Sequence, residues 1–317
     1  MPDNQLVDQP LGQHDLPEDL INADLIGRDL RGINLSGRDL RGAKFFKADL
    51  RGAILQDCNL EEAEFSGANL EGANLEAVNA KRAGFGMAQM KNCSLFRANL
   101  EGATLTQADL NAANLHSANL SHSRLRESQL CNANLSEANL KDADLSMARV
   151  DKTNFSNSDL RGARLRMMRG FKSARWIGAD IRDINFAGAY LMRREIVDQN
   201  FIKEFRSFNR MSALLYYPWW ITCDCGRSML RWCGCIGLQG LFFAWIYTLI
   251  GIDFGQNPTA VAPLYFSVVT LTTLGYGDIV PHTLLGQLVV MLEVTIGYMM
   301  LGGLLSIFAN KLARRGD

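Results

Sequence analysis

Large apolar residues fall on nearly every fifth position from Leu25 to Leu165: Leu25, Leu30, Leu35, Leu40, Phe45 and Leu50 open the series, and Ala80 is its one small member. Two residues before them a small residue dominates, as at Ala43, Ala48, Ala53, Ala63, Ala68 and Ala73, with Asp or Asn commonly between. A period of five fits neither an amphipathic helix, with a repeat of about 3.6, nor an alternating strand, with a repeat of about 2. A short fixed period is the mark of a solenoid, in which each repeat stacks on its neighbours to bury one continuous core. After Leu165 the phase slips by one residue around Gly170, and Phe171, Trp176, Ile181, Phe186 and Leu191 carry the period on. That predicts a bulged last coil with Trp176 closing it. The stretch from Val78 to Ser94 reads as a weaker coil, because Ala80, Gly84, Gly86 and Met90 interrupt the pattern.

The pattern then changes. Between 192 and 212, basic residues alternate with Ile196, Phe201, Ile202, Phe205 and Phe208, which share one helical face. This predicts an amphipathic helix, lying either on the inner membrane surface or against the last coil. No charged residue occurs between Arg231 and Asp253, and the stretch from Leu284 to Ala309 holds one acid, Glu293. Each is long enough to cross a hydrocarbon layer of about 30 Å. A carboxylate at that depth is costly and is expected to face a water-filled cavity or a partner. Between the two crossings, Pro263 to Thr272 reads as a short apolar helix with proline in its first turn.

That short helix runs into Thr270-Leu-Thr-Thr-Leu-Gly-Tyr-Gly-Asp278. The segment resembles the selectivity filter of two-helix potassium channels, and the resemblance covers about Met229 to Arg315. It implies a filter of Thr273, Leu274, Gly275, Tyr276 and Gly277, whose carbonyls replace the water of a potassium ion when several identical loops meet. The Thr273 hydroxyl adds the innermost ring, and Thr270, Thr272 and Asp278 support the filter. Gly275 and Gly277 suit a strand whose carbonyls face one way, since that requires positive φ. The short helix would point its negative end at the pore. By the same resemblance Gly297 aligns with the hinge glycine of the inner helix, and Gly302 and Gly303 form a second weak point; close helix packing is the competing use of these small residues. Leu274 stands where valine is commoner. Val269 stands near where some relatives place a carboxylate, which leaves Asp278 as the expected local acid.

The five-residue period resembles the pentapeptide-repeat family. Its fold is a right-handed quadrilateral β-helix with four repeats per coil, and coils stack at the β spacing of about 4.8 Å. The fold expected is thus multi-domain: a polar segment over 1–20, a β-helix over 21–192, an interfacial linker over 193–228 and an α-helical membrane pore domain over 229–317. Orientation follows from Arg227 and Arg231 before the first crossing and Lys311, Arg314 and Arg315 after the second, because basic flanks stay inside. Both termini are expected in the cytoplasm, and the membrane expected is that of a prokaryotic cell. Tyr216, Tyr217, Trp219 and Trp220 precede the first crossing as an interfacial belt would. Residues 1–20 are polar and do not read as a cleavable leader.

Composition adds limits. The 317 residues carry no formal net charge, and acids and bases nearly balance within the repeat. A nucleic-acid partner is therefore not expected, nor the acidic field of a DNA mimic. No nucleophile–base pair or phosphate loop points to catalysis, and no cofactor is expected beyond potassium as the permeating ion. Of the seven cysteines, Cys58 and Cys93 take small inward positions and Cys131 points outward alone. Cys223, Cys225, Cys233 and Cys235 cluster at the inner edge of the first crossing; a metal or redox site, palmitoylation and plain membrane-edge cysteines are the readings open there. The function expected is a passive, homotetrameric potassium channel in a lipid bilayer, with a protein partner possible on the rod surface. The competing expectation is a membrane-anchored scaffold with a vestigial pore.

Overall fold

The computed structural model describes residues 16, 19–187, 189–255 and 259–313, with side chains as far as Ala309. Most of the polar segment before residue 19, Arg314, Arg315 and the side chain of Lys311 lie outside these. The chain divides into two compact units, Met1–Lys203 and Glu204–Asp317.

The first unit is a solenoid of isolated parallel bridges spaced twenty residues apart, from Asp24–Lys44 and Asp29–Asp49 through Arg149–Arg169. Bridges start at Asp24, Asp29, Asn34 and Asp39 before the coil returns to Lys44, so each coil has four sides. Leu and Phe at the fifth positions fill the tube, and Ala43, Ala48, Ala53 and their successors pack beside them. Phe45, Phe65 and Phe85 stack face to face at centroid distances of 4.5 and 5.0 Å. Where the small inward position is Ser or Thr, the hydroxyl donates to a core carbonyl: Ser123 to Leu120 at 2.6 Å, Thr153 to Leu130 at 2.6 Å. No buried donor is wasted there.

Corners are tight turns in which the amide of the small residue donates back three positions, as Ala23 does to Leu20 at 3.2 Å. The residue before it has positive φ, the mark of a type II turn. Glycine fills this position at Gly27, Gly32, Gly37 and Gly52, but so do Asn22, Lys47, Asp57, Glu62 and Met87. From residue 22 to 167 the position never holds Val, Ile or Thr, the residues that tolerate positive φ least. The Asp or Asn ahead of each Leu also works at the corner. Its side chain accepts the amide two residues on, as Asn34 does from Ser36 at 3.0 Å. Asn59, Asn79, Asn99, Asn119 and Asn139 further link into a side-chain ladder, with bonds of 3.0 to 3.1 Å.

Three expectations change. The Val78–Ser94 coil is regular: Ala80 and Met90 are fully buried, and Glu64–Gly84 and Asn69–Gln89 bridge in register. Smaller side chains are tolerated because the backbone ladder continues unbroken. Cys131 is not alone, since its thiol meets Asp151 at 3.7 Å. The one-residue slip is present, as Asn154–Arg175 and Asp159–Asp180 bridge at twenty-one, but Leu191 does not continue the repeat. It is 46% exposed in helix α1, Tyr190–Phe208.

Within the first unit, α1 closes the last coil. Met192 and Ile196 enter the core, so this part of the helix uses its apolar positions on protein rather than on a membrane surface. Trp176 is fully buried, stacks on Phe155 at 4.4 Å and donates its indole N–H to Phe171 O at 2.9 Å. Its backbone would be an open edge, but two side-chain amides take the place of the next strand. Gln199 accepts from Trp176 N at 2.9 Å and donates to Ala174 O at 2.9 Å. Asn200 accepts from Gly178 N at 2.7 Å and donates to Trp176 O at 3.1 Å.

The second unit is helical. Helix α2 (Arg210–Cys223) starts in a capping box between Asn209 and Ser212. Phe205 meets Trp219 edge-on at 5.2 Å, and Arg206 lies 5.2 Å over the Tyr216 ring. Then follow α3 (Met229–Ile250), capped by Ser228, the short α4 (Ala262–Leu271) and α5 (Leu284–Ala313).

Candidate functional site

Helix α3 and residues Leu284–Ala309 of α5 are each long and apolar enough to cross a membrane. Their mutual core is small: Phe243, Tyr247, Ile252 and Phe266, flanked by Val289, Val290 and Ile296. Leu238, Leu241, Trp245 and Leu249 on α3, and Leu288, Met291, Leu292 and Met299 on α5, stay exposed. Apolar surface of that extent needs lipid or further protein against it.

Helix α4 has Pro263 in its first turn and buries Phe266, Ser267, Val269, Thr270 and Leu271. Its last turn holds the strand that follows: Thr273 N donates to Thr270 O and Leu274 N to Val269 O, both at 3.0 Å. Thr272 Oγ1 donates to Val268 O at 2.7 Å. Beyond that, φ is positive at Thr273 (60°), Gly275 (49°) and Gly277 (77°), and not at Leu274 or Tyr276 between them. Alternating hands turn successive peptide planes the same way, so that carbonyls can line one side of an extended strand. Glycine adopts the left-handed region freely; threonine does so at a cost, and Thr273 Oγ1 bonds its neighbour's carbonyl, Thr272 O, at 2.7 Å. The sequence singled out the two glycines for this geometry but not Thr273. Asp278 lies near Tyr265.

Asp278 is not the sole acid nearby. Glu293 on α5 is fully buried, and its two carboxylate oxygens accept from Ser267 of α4 and Tyr247 of α3. Val269 lacks a carboxylate, and one arrives from the inner helix instead. Ser267 and Tyr247 escaped the sequence reading. The available signal was three polar groups in otherwise apolar helices, each of which needs a partner at that depth.

The inner-helix glycines differ. A Cβ on Gly297 would stand 2.7 Å from Leu271 O and 3.2 Å from Leu271 Cα, so α5 touches the end of α4 there. On Gly303 it would meet the Trp232 ring at 2.4 Å; Trp232 donates its indole N–H to Met300 O at 2.7 Å. Gly302 faces nothing within 4 Å. Among the described residues no three His, Cys, Asp or Glu are placed to hold a metal. Cys223 is buried, donating to Trp219 O at 3.2 Å, Cys235 approaches Thr222 O at 3.8 Å, Cys225 is half-buried, and Cys233 is exposed. Burial raises the Cys225 thiol above its ordinary range, with Asp224 adding to the effect, the direction opposite to that of a reactive thiolate.

Two helices long and apolar enough to cross a membrane, a short apolar helix between them and a segment of alternating φ at its end make up the second unit's apolar part. Residues 237–314 match the family described as ion channel, and residues 19–57, 58–95, 93–130 and 133–166 match pentapeptide repeats in eight copies. The chain is a membrane protein that joins a pentapeptide-repeat solenoid to a two-helix ion-channel domain, and both families are non-enzymatic in general. Among solved structures it is similar to HetL, a pentapeptide repeat protein involved in heterocyst differentiation regulation from the cyanobacterium Nostoc sp. strain PCC 7120. That match has 27% identity and a TM-score of 0.23, covering 52% of this chain and 93% of that one. It is also similar to Rfr23 of the cyanobacterium Cyanothece 51142 (23%, TM-score 0.23, covering 49% and 89%). QnrB1, a plasmid-mediated fluoroquinolone resistance protein, matches at 19% identity and TM-score 0.33, covering 51% and 94%. Curated protein sequences give no match.

Proposed function

We propose that the chain forms a homotetrameric, potassium-selective channel in which ions pass the carbonyls of Thr273–Gly277. The observation that carries this reading is the alternation of positive φ at Thr273, Gly275 and Gly277, directly after a buried helix and before a membrane crossing. One chain offers one such strand, and a ring of carbonyls needs several around a closed symmetry axis. Thr270, Thr272 and Asp278 hold the strand in place. Gating is by bending of α5 near Gly297, where its contact with Leu271 passes the motion to the pore helix, with Gly302 as a second flexible point. Basic residues at Arg227 and Arg231 favour cytoplasmic termini in a prokaryotic cell membrane. The solenoid is then a cytoplasmic regulatory module that uses its outer faces, since its interior is filled.

The test is ion flux into proteoliposomes holding the purified chain, potassium against sodium, with barium as blocker. Potassium-selective, barium-blocked flux is expected. Equal flux of both ions would overturn selectivity, and absence of flux both in the full chain and after removal of the solenoid would favour the scaffold with a vestigial pore.

A further inference from the structure

Glu293 is the one acid inside either crossing, it is fully buried, and its placement is specific. One oxygen accepts from Ser267 and the other from Tyr247; both donors are themselves completely buried. A single carboxylate thus ties the inner helix α5 to the pore helix α4 and the outer helix α3 at one level. Gly240 on α3 faces the same Ser267: a Cβ there would stand 3.8 Å from its Oγ, an ordinary contact. One turn further along α5, on the same face, Gly297 brings the helix backbone onto Leu271 O. Leu271 ends α4, two residues before Thr273. The pore helix is therefore held by α5 at two successive turns, by hydrogen bonds at Ser267 and by close packing at Leu271. The strand from Thr273 onward hangs from the carbonyls of Val269 and Thr270, which lie between those two points.

A buried carboxylate is expensive to keep and is poor evidence of stability for its own sake. Hydrophobic residues would pack three helices at lower cost. What two oriented hydrogen bonds supply is direction: they fix the rotation of α4 about its axis, and with it the direction of the carbonyls that carry the strand.

We propose that Glu293 is a positioning residue for the filter, setting the geometry of Thr273–Gly277 by fixing Ser267 and Tyr247 relative to the inner helix. This rests on the reading of that strand as a potassium filter. A residue that only held the fold would stabilise the assembly alike in any salt. A residue that positions the filter acts on potassium binding there, and shows itself as a difference between potassium and sodium.

The experiment uses the full chain, unaltered and as Glu293→Leu, Glu293→Gln and Ser267→Ala. Two quantities are measured: the potassium-to-sodium flux ratio in proteoliposomes, and the thermal midpoint of the assembly in potassium and in sodium chloride. Glu293→Leu is expected to lower the flux ratio about tenfold, the equivalent of one lost hydrogen bond to a charged group, and to shrink the extra stability given by potassium. Glu293→Gln, which can bond both hydroxyls, is expected to restore most of what Glu293→Leu loses. If Glu293→Leu fails to assemble, Ser267→Ala decides, since it removes one donor and leaves the bond to Tyr247. A potassium-preferring wild type whose variants lose midpoint equally in both salts, with the flux ratio unchanged, would overturn the proposal alone. A wild type with no potassium preference would overturn the filter reading and this role together.

Discussion

The solenoid and the channel domain satisfy their backbone and core in opposite ways. Each coil bonds to the coil below, buries its own Leu, Phe and Ala, and caps its turns with its own Asn and Asp. Its last edge is closed by Gln199 and Asn200 of the same chain. The channel domain uses helices, but leaves Leu238, Leu241, Leu288 and Met291 uncovered, and the segment after α4 alternates in the hand of its backbone at Thr273, Gly275 and Gly277. Among its described residues the first unit covers its own core and its last edge. The other leaves apolar side chains that need lipid or further protein against them.

The sharpest way to break this comparison is Gly275→Ala. A methyl group on a residue at φ 49° in the lining strand is expected to abolish potassium-selective flux and leave the circular-dichroism melt of the solenoid unchanged. If the melt moved, the two units would not be separable in the way described. Next in size is Leu110→Ala, at a fully buried core position. It is expected to cost about 2–5 kcal/mol, read as a lower denaturant midpoint for the β signal, without changing selectivity. Gly297→Ala places a methyl group against Leu271 O. An overpacking cost of about 1–3 kcal/mol is expected, appearing as a lower midpoint for the helical assembly and reduced flux.

How much of this was legible beforehand divides along the same line. The five-residue period declared the solenoid because its contacts are local: what lies beneath Leu50 is Leu30, twenty residues away by rule. The filter was legible as a spelled motif, and its glycines as a conformational need. Thr273 at positive φ was not, nor were Lys47 or Met87 in the solenoid turns, because tertiary stacking overrides their own preference. The Ser267–Glu293–Tyr247 tie was hidden for another reason. Its members lie 26 and 46 residues from one another in sequence, and no period relates them. The same holds for α1, whose apolar positions suited a membrane surface and a coil end equally until Met192 and Ile196 were found in the core.

Smaller effects sharpen the solenoid's side. Gln199→Ala would leave Trp176 N and Ala174 O without their partner. A loss of about 1–3 kcal/mol is expected, with faster hydrogen exchange confined to the last coil. The smallest effect is in pH. Hydrogen bonds from Arg41, Arg51 and Arg161 hold the carboxyls of Asp39, Asp49 and Asp159 below the usual carboxylate range. Their contribution is complete above the unfolded carboxylate value of about 3.9 and is lost as pH falls through the lower folded values. The thermal midpoint of the solenoid is expected to fall slightly on acidification below that value, and less so in high salt, because these pairs lie near solvent.

The amides of Gln199 and Asn200 also set a rule for how this protein can change in length. They terminate one particular edge, so material added after Trp176 would meet a closed surface. A duplicated coil of twenty residues placed in the middle of the stack meets no such barrier: the coil above finds the same ladder and the same core beneath it. The solenoid can therefore grow or shrink in whole-coil steps of about 4.8 Å, with its closing helix unaltered. An insertion that is not a multiple of five would move every later Leu off its inward position unless a bulge absorbed it, as the one-residue slip around Gly170 does with Trp176 still buried.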